Sequence, residues 1–290
     1  MKITIIGAGA IGTMLGAIIS DDETELSVLT KKEINKDHII LENFKGKTLK
    51  KKAKYVNNLD KSDWLILAVK SYDIEKLVEP LKESSGKIMC CQNGIGTYNL
   101  LKSEIDNNRL SYMVTGIGSS KIETGKARFE GSGFTFLGEF SSKNGEQISH
   151  LSKKMGFSGI DCEVVNNIFS YVWLKTIINS SINPIAAYHK VENGRLREPE
   201  LNAQVKEMCN ESSLIAQKIG IRLPLDPWKE TKSIIKNTSN NKCSMLQDIE
   251  NRNRTEIDAI NGEIIRIAEA NNLNCKKNKE YLNKIKAITS

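Results

Sequence analysis

The sequence predicts an α/β domain with a largely parallel, doubly wound sheet over residues 1–165, followed by an all-α domain over residues 166–290. Three features carry this reading. A short β-rich run, Lys2–Ile6, meets a glycine-rich turn and then an apolar helical stretch through Ile19. Apolar runs of strand length recur through the first half, and Asp63–Val69 (DWLILAV) is nearly continuous, as expected of a strand covered on both faces. After about Val165 the pattern changes to long helices, with candidates at Ile168–Ile182, Pro199–Ile219, Pro227–Asn237 and Ser244–Ala270. Asp226 before Pro227 is an N-cap followed by proline at the first helical position.

The bulk numbers bound the function. A chain of 290 residues fits one large domain or two ordinary ones. With 39% hydrophobic and 27% charged residues it has the composition of a soluble globular protein. The net charge of +7 favours anionic ligands without establishing nucleic-acid binding. The densest basic run, KGKTLKKKAK at 45–54, reads as a solvated loop or edge strand. No run approaches the roughly 18 apolar residues of a membrane span. Six cysteines without a CxxC pair fit a reducing, cytoplasmic compartment. The only histidines, His38, His150 and His189, are far apart in sequence, which argues against a histidine-ligated metal. No metal, nucleic acid or membrane partner is therefore expected.

Gly7-Ala8-Gly9-Ala10-Ile11-Gly12 is a G-x-G-x-x-G motif in the strand–turn–helix setting that the motif requires. Gly7 permits the tight turn, Gly9 lets the backbone approach a pyrophosphate, and Gly12 lets the helix pack close to the strand. The helix N-terminus offers N–H groups and a positive dipole end to phosphates. This makes the first domain a Rossmann-type dinucleotide-binding domain; the rival reading is a glycine-rich turn without chemical use. The next strand, Glu25–Leu29, ends in Thr30-Lys31-Lys32-Glu33. An NAD site usually places an acid there for the ribose 2′-hydroxyl, whereas two lysines suit a 2′-phosphate. NADP(H) is therefore expected over NAD(H), against the alternative of a surface turn with incidental lysines.

The strand Asp63–Val69 ends at Lys70, with a helix from about Asp73, and the strand Lys87–Gln92 ends at Gln92-Asn93-Gly94. Lys70 and Asn93 thus fall at C-terminal ends of parallel strands, the edge where open α/β sheets bind ligands. Leu110–Gly118, Lys126–Glu130 and Phe134–Phe140 read as later strands that include an antiparallel pair. A helix near Gln147–Met155 and a short strand at Cys162–Val165 complete the domain.

In the second half, YVWLKTIINSSINP at 171–184 is apolar except for one strip. Lys175, Asn179 and Asn183 recur at steps of four, about 40° apart around a helix axis. Pro184 then ends or kinks the helix. The lysine either snorkels to water or needs a partner to stay charged; the two amides on its line favour a ligand-facing wall. Ser244 stands where a helix begins and could simply cap it. Glu256 falls in the middle of the expected Ser244–Ala270 helix beside arginines, where a surface ion pair is the plain reading. Twelve residues leave the two about a third of a turn out of line. The tail CKKNKEYLNKIKAITS reads as a solvated last helix.

Several stretches together resemble one family. They are GAGAIG at 7–12, Lys70 after LILAV, QNGIGT at 92–97, LKTIINSSINPIAA at 174–187, ENGRL at 192–196 and SMLQDIENRNRTEIDAINGEII at 244–265. On these the chain resembles the ketopantoate reductase family over nearly its whole length. The resemblance implies a helical C-terminal domain like that of 6-phosphogluconate dehydrogenase. It also implies NADPH-dependent reduction of a small 2-keto acid, ketopantoate, in pantothenate biosynthesis. It makes Lys175 the general acid for the ketone oxygen and Glu256 an acid near the substrate hydroxyl and the cofactor. It makes Asn93 a contact to both cofactor and substrate, and Asn179, Asn183, Asn193, Asn241 and Ser244 substrate contacts. Lys31 then meets the 2′-phosphate, and Lys70 lies on the cofactor side. Lys31 replaces the more usual arginine and loses its bidentate fork. In GIGSSKIETG at 116–125, Lys121 stands where a small residue usually meets the cofactor. Rival readings are a paralogue acting on another 2-keto acid and a non-catalytic NADP(H) sensor. Apolar stripes on the C-terminal helices could build a homodimer.

Overall fold

A computed structural model describes residues 1–31, 33–59, 61–141 and 145–289. The chain divides into two compact units, Met1–Gln92 with Thr97–Phe169, and Asn93–Gly96 with Ser170–Ser290.

The first unit holds the strands β1 (Lys2–Ile6), β2 (Glu25–Leu29), β3 (His38–Phe44), β4 (Lys47–Lys52), β5 (Lys54–Val56) and β6 (Trp64–Leu67). These are followed by β7 (Lys87–Cys90), β8 (Leu110–Thr115), β9 (Gly118–Glu123), β10 (Lys126–Gly131), β11 (Thr135–Glu139) and β12 (Glu163–Val164). Its helices are α1 (Ala10–Ile19), α2 (Val78–Glu83), α3 (Gly96–Glu104) from Thr97 onward, and α4 (Glu146–Phe157). The main sheet runs in the order β12-β11-β8-β7-β6-β1-β2-β5. From the edge strand β5 inward, β5, β2, β1, β6, β7 and β8 pair in parallel, and β11 returns antiparallel to β8. Every residue of β6 and β8 is buried, as strands covered on both faces require. Ile3, Ile5, Met14, Leu15 and Met89 are among the side chains of this core.

A second sheet, in the order β4-β3-β10-β9, was not expected from the sequence. The run 45–54 supplies its edge: Lys45 and Gly46, with φ of 50° and 75°, close a hairpin between β3 and the lysine-rich β4. The stretch 110–118, expected as one strand, ends as β8 at Thr115, and Gly118 opens β9 in the smaller sheet.

The second unit contains the long helix α5 (Ile168–His189) from Ser170 onward, then α6 (Pro199–Lys218), α7 (Pro227–Asn237), α8 (Ser244–Glu250), α9 (Glu263–Ala270) and α10 (Lys276–Thr289). Three expectations are corrected here. First, α5 does not stop at Ile182 but continues through Pro184 to His189. Proline removes the N–H that would bond the carbonyl four residues back, that of Ser180. The fully buried Asn261 replaces it, donating from Nδ2 to the Ser180 carbonyl at 3.2 Å. Second, 244–270 is not one helix. α8 stops at Glu250, Arg252 takes a φ of 56°, and a π-helical turn at Asp258–Gly262 leads into α9. Third, α10 is not simply solvated. Asn278, Tyr281 and Ile285 lie on one face and are fully buried beneath the lysines.

Candidate active site

The glycine loop sits where the sequence places it. Gly7 takes a φ of 112°, a region that favours glycine, and its N–H donates to the carbonyl of Leu29 at 3.2 Å. A Cβ on Gly12 would stand 2.0 Å from the Gly7 carbonyl oxygen, so only glycine lets α1 approach β1 this closely. Gly9 is the reverse case: a Cβ there would meet nothing within 4 Å. That open space over the backbone, beside a helix N-terminus whose cap position is Gly9 itself, without a capping side chain, fits a pyrophosphate group. Ser119 in β9 donates to the carbonyl of Ala10 at 3.3 Å. Lys121, two residues along and exposed, leaves the same side of that strand.

Lys31 follows the end of β2, and Lys32 lies outside the described residues. The Lys31 ammonium is mostly exposed and reaches Asp73 Oδ1 at 3.1 Å, while Lys76 reaches the same oxygen at 3.3 Å. Partial burial works to raise the Asp73 carboxyl, but the hydrogen bonds from Lys31 and Lys76 outweigh it and hold the group below its ordinary value. Lys70 is half-buried and leads into the turn Ser71–Asp73. Gln92 fixes this edge: its Nε2 donates to the carbonyls of Leu67 at 2.7 Å and Val69 at 3.1 Å. The Tyr112 hydroxyl in turn donates to the Gln92 carbonyl at 2.8 Å.

In the helical unit, the strip on α5 is the opening in an otherwise buried helix. Between Ser170 and Ala187, only Tyr171, Lys175 and Asn179 escape full burial, at steps of four. Asn183, next on the line, is buried. Asn179 Nδ2 approaches Asn93 Oδ1 at 3.5 Å, and Asn93 Nδ2 donates to Glu256 Oε2 at 3.1 Å. Glu256 is therefore not a mid-helix surface acid. It is 7% exposed and directly precedes Ile257, the N-cap of the π segment. Gly94 takes a φ of 83°, and a Cβ there would stand 2.1 Å from the Ala259 carbonyl oxygen. The Asn93–Gly96 turn is thus seated against the π segment, which fixes where the Asn93 amide points.

Asn193 is buried and its Nδ2 donates to Thr238 Oγ1 at 2.8 Å. Its backbone N–H donates to the Asn241 carbonyl at 3.0 Å, so Asn193 and Asn241 are held together. Asn241 and Ser244 are exposed. Ser244 is not the cap of α8: Cys243 is, its Sγ accepting from the Leu246 N–H at 3.4 Å. The same thiol donates to the Asn183 carbonyl at 3.5 Å, joining this segment to the α5 strip. Burial pushes the Cys243 thiol up to about 11, which keeps it neutral.

Sequence reasoning missed Tyr171, Cys243 and Asp73. Extending the strip one step towards the N-terminus would have found Tyr171. A thiol cap has no strong sequence signal, and the Lys31–Asp73 pair joins residues 42 apart in the chain.

A cavity of about 700 Å³ is lined by Met1, Asp63, Trp64, Glu146, His150 and Lys153, among others. It lies at the amino ends of β1 and β6, opposite to the glycine loop, and is not a candidate for the cofactor. Among the described residues no helix is long and apolar enough to cross a membrane.

Comparisons with known proteins agree with the two-part fold. The family described as "Ketopantoate reductase PanE/ApbA" matches residues 3–142, and its "C terminal" counterpart matches residues 167–289. The chain is 31% identical over 285 residues to a 2-dehydropantoate 2-reductase of Pyrococcus horikoshii, covering 96% of this chain and 94% of that one. It is 28% identical over 294 residues to the enzyme of the same name from Archaeoglobus fulgidus, covering 100% and 98%. Among solved structures, a ketopantoate reductase from Ralstonia eutropha aligns with a TM-score of 0.89 at 23% identity, over 100% of this chain and 98% of that one. A D-mandelate dehydrogenase solved with NADH and anilino(oxo)acetate aligns with a TM-score of 0.86 at 23% identity, again over 100% and 98%.

Proposed function

The chain belongs to the ketopantoate reductase family, and from that premise we propose that it is a 2-dehydropantoate 2-reductase, reducing ketopantoate to pantoate with NADPH for pantothenate biosynthesis. The observation that carries the reading is the α5 opening at Tyr171, Lys175 and Asn179, continued by the hydrogen-bonded line from Asn179 through Asn93 to Glu256.

In this reading residues 1–165 hold the cofactor and residues 166–290 supply the substrate groups. Gly7–Gly12 cradles the pyrophosphate, Lys31 faces the 2′-phosphate, and Lys70 and Lys121 are further cofactor contacts. The nicotinamide, when bound, supplies the hydride for the keto carbon. Lys175, as an ammonium, hydrogen-bonds the ketone oxygen, offsets the negative charge that develops there and donates the proton that makes it a hydroxyl. Solvent then restores that proton. Glu256 contributes a carboxylate that keeps Lys175 charged or accepts from the substrate's terminal hydroxyl. Asn93 contributes an amide whose sense is fixed, because its Nδ2 donates to a carboxylate and its Oδ1 faces a donor. Asn179, Asn183, Asn193, Asn241 and Ser244 supply neutral groups for the substrate without adding net charge.

The test is NADPH oxidation with ketopantoate by the wild type and Lys175→Ala. The substitution is expected to lower kcat by about 10²–10⁴-fold, the usual worth of a general acid, while NADPH binding by fluorescence is retained. Turnover near that of the wild type would overturn the assignment. A second reading, reduction of another 2-keto acid, draws on the dehydrogenase neighbour named for mandelate. A keto-acid panel under the same conditions separates the two.

A further inference from the structure

The residues after β2 pose a chemical puzzle. Dinucleotide sites that take NAD place an acid at this point to accept from the ribose 2′-hydroxyl, and sites for NADP place a base there for the 2′-phosphate. Along the chain this position is Lys31. In space it is a lysine and an acid together, because Asp73 Oδ1 lies 3.1 Å from the Lys31 ammonium. Asp73 arrives from the turn after β6, at the same sheet edge as the glycine loop.

We propose that Asp73 sets the cofactor preference of this chain, keeping the preference for NADPH over NADH small. The inference rests on the nicotinamide-cofactor reading above. The two members of the pair are unequal. The Asp73 side chain is 21% exposed and that of Lys31 is 78% exposed, so the carboxylate is the enclosed member and the lysine the solvent-facing one. Lys76 shares the same Oδ1 at 3.3 Å. With both cations on Oδ1, the Oδ2 atom is the one that a ribose 2′-hydroxyl would reach. A 2′-phosphate, with a charge of about −1.5 to −2, meets a different situation. It gains Lys31 only by drawing it from Asp73, and it stays beside a carboxylate that repels it. Lys31 cannot offset this with the bidentate grip of an arginine. The same groups thus serve a hydroxyl well and a phosphate only moderately.

The experiment measures dissociation constants for NADPH and NADH by fluorescence titration of the full chain. The proteins are the wild type, Asp73→Asn, Asp73→Ser, Lys31→Ala and Glu33→Gln. Glu33, the next acid along the chain and exposed, is the control. The wild type is expected to prefer NADPH by less than about tenfold. Both Asp73 variants should tighten NADPH by about tenfold and leave NADH unchanged or weaker. Lys31→Ala should weaken NADPH alone, and Glu33→Gln should change neither. Two Asp73 variants, checked for native circular dichroism, guard against a folding artefact in either. A preference that moves less than twofold in both overturns the proposal, as does a wild type that prefers NADPH by a thousandfold. A wild type that binds neither cofactor overturns the nicotinamide reading itself, and this inference with it.

Discussion

Asn261 and Pro184 form a pair whose energetic coupling can be measured. Pro184 leaves the Ser180 carbonyl without its helical donor, and Asn261 Nδ2 supplies one at 3.2 Å. The same Nδ2 donates to Asn278 Oδ1 at 3.0 Å, in a fully buried setting. Asn261→Leu is similar in size but removes both donors. A lost buried hydrogen bond with an acceptor left unpaired costs about 1–3 kcal/mol, so the two together should cost about 3 kcal/mol. In a Pro184→Ala background the residue-184 N–H can return to the Ser180 carbonyl. One of the two orphaned acceptors is then satisfied, and Asn261→Leu should cost only about 1.5 kcal/mol. The coupling of about 1.5 kcal/mol exceeds the ~0.5 kcal/mol within which independent sites add. Urea midpoints and slopes for the four proteins, followed by far-UV circular dichroism, measure it. Additive losses within that margin would show that Asn261 does not replace the missing proline N–H.

Two further outcomes follow from the first unit. Gly9→Ala should leave the urea midpoint unchanged and weaken NADPH binding, since its Cβ enters open space. Gly12→Ala should lower the midpoint, since its Cβ would overlap the Gly7 carbonyl; equal behaviour of the two variants would contradict the loop geometry. Asp21 is held at about 2, chiefly by a hydrogen bond from the buried Lys154 and then by Thr24. Its folded pKa lies below its unfolded value, so its contribution is complete above about pH 4 and is lost as pH falls towards 2. Asp21 is half exposed, so solvent screening limits this to about 1 kcal/mol. Asp21→Asn should lose about that much at neutral pH and show a flatter acid limb; parallel acid limbs for the two proteins would sink the idea.

What could be read from the sequence was what local chemistry decides. β1 and β2 have the bounds expected from their apolar runs. α7 spans Pro227–Asn237 as its cap predicts, with Asp226 accepting from the Lys229 N–H at 2.9 Å. The α5 strip was visible because a helical period needs no knowledge of neighbours. The small sheet was not, because β3 finds β10 far along the chain and no local signal names that partner. The burial of Glu256 was hidden for the same reason, although the family resemblance had placed it in the site. Its charge and its neighbours in sequence suggest a surface, while in the fold it is buried and accepts from an amide 163 residues away. The break after Glu250 falls in a polar run, Glu250 to Glu256, that holds no proline or glycine to mark it; there Arg252 takes a φ of 56°.

The four residues Asn93–Gly96 pack with the helical unit, although the chain on both sides of them belongs to the sheet unit. The polypeptide therefore changes allegiance three times, after Gln92, after Gly96 and after Phe169. The two halves are not cassettes that a single cut can exchange. A chimaera that grafted Ser170 onward from this chain onto a foreign nucleotide-binding half would take Glu256 and Asn179 without their Asn93. Recombination of such halves, in the laboratory or in a lineage, must carry the small island along with the large piece or find a host that already presents it.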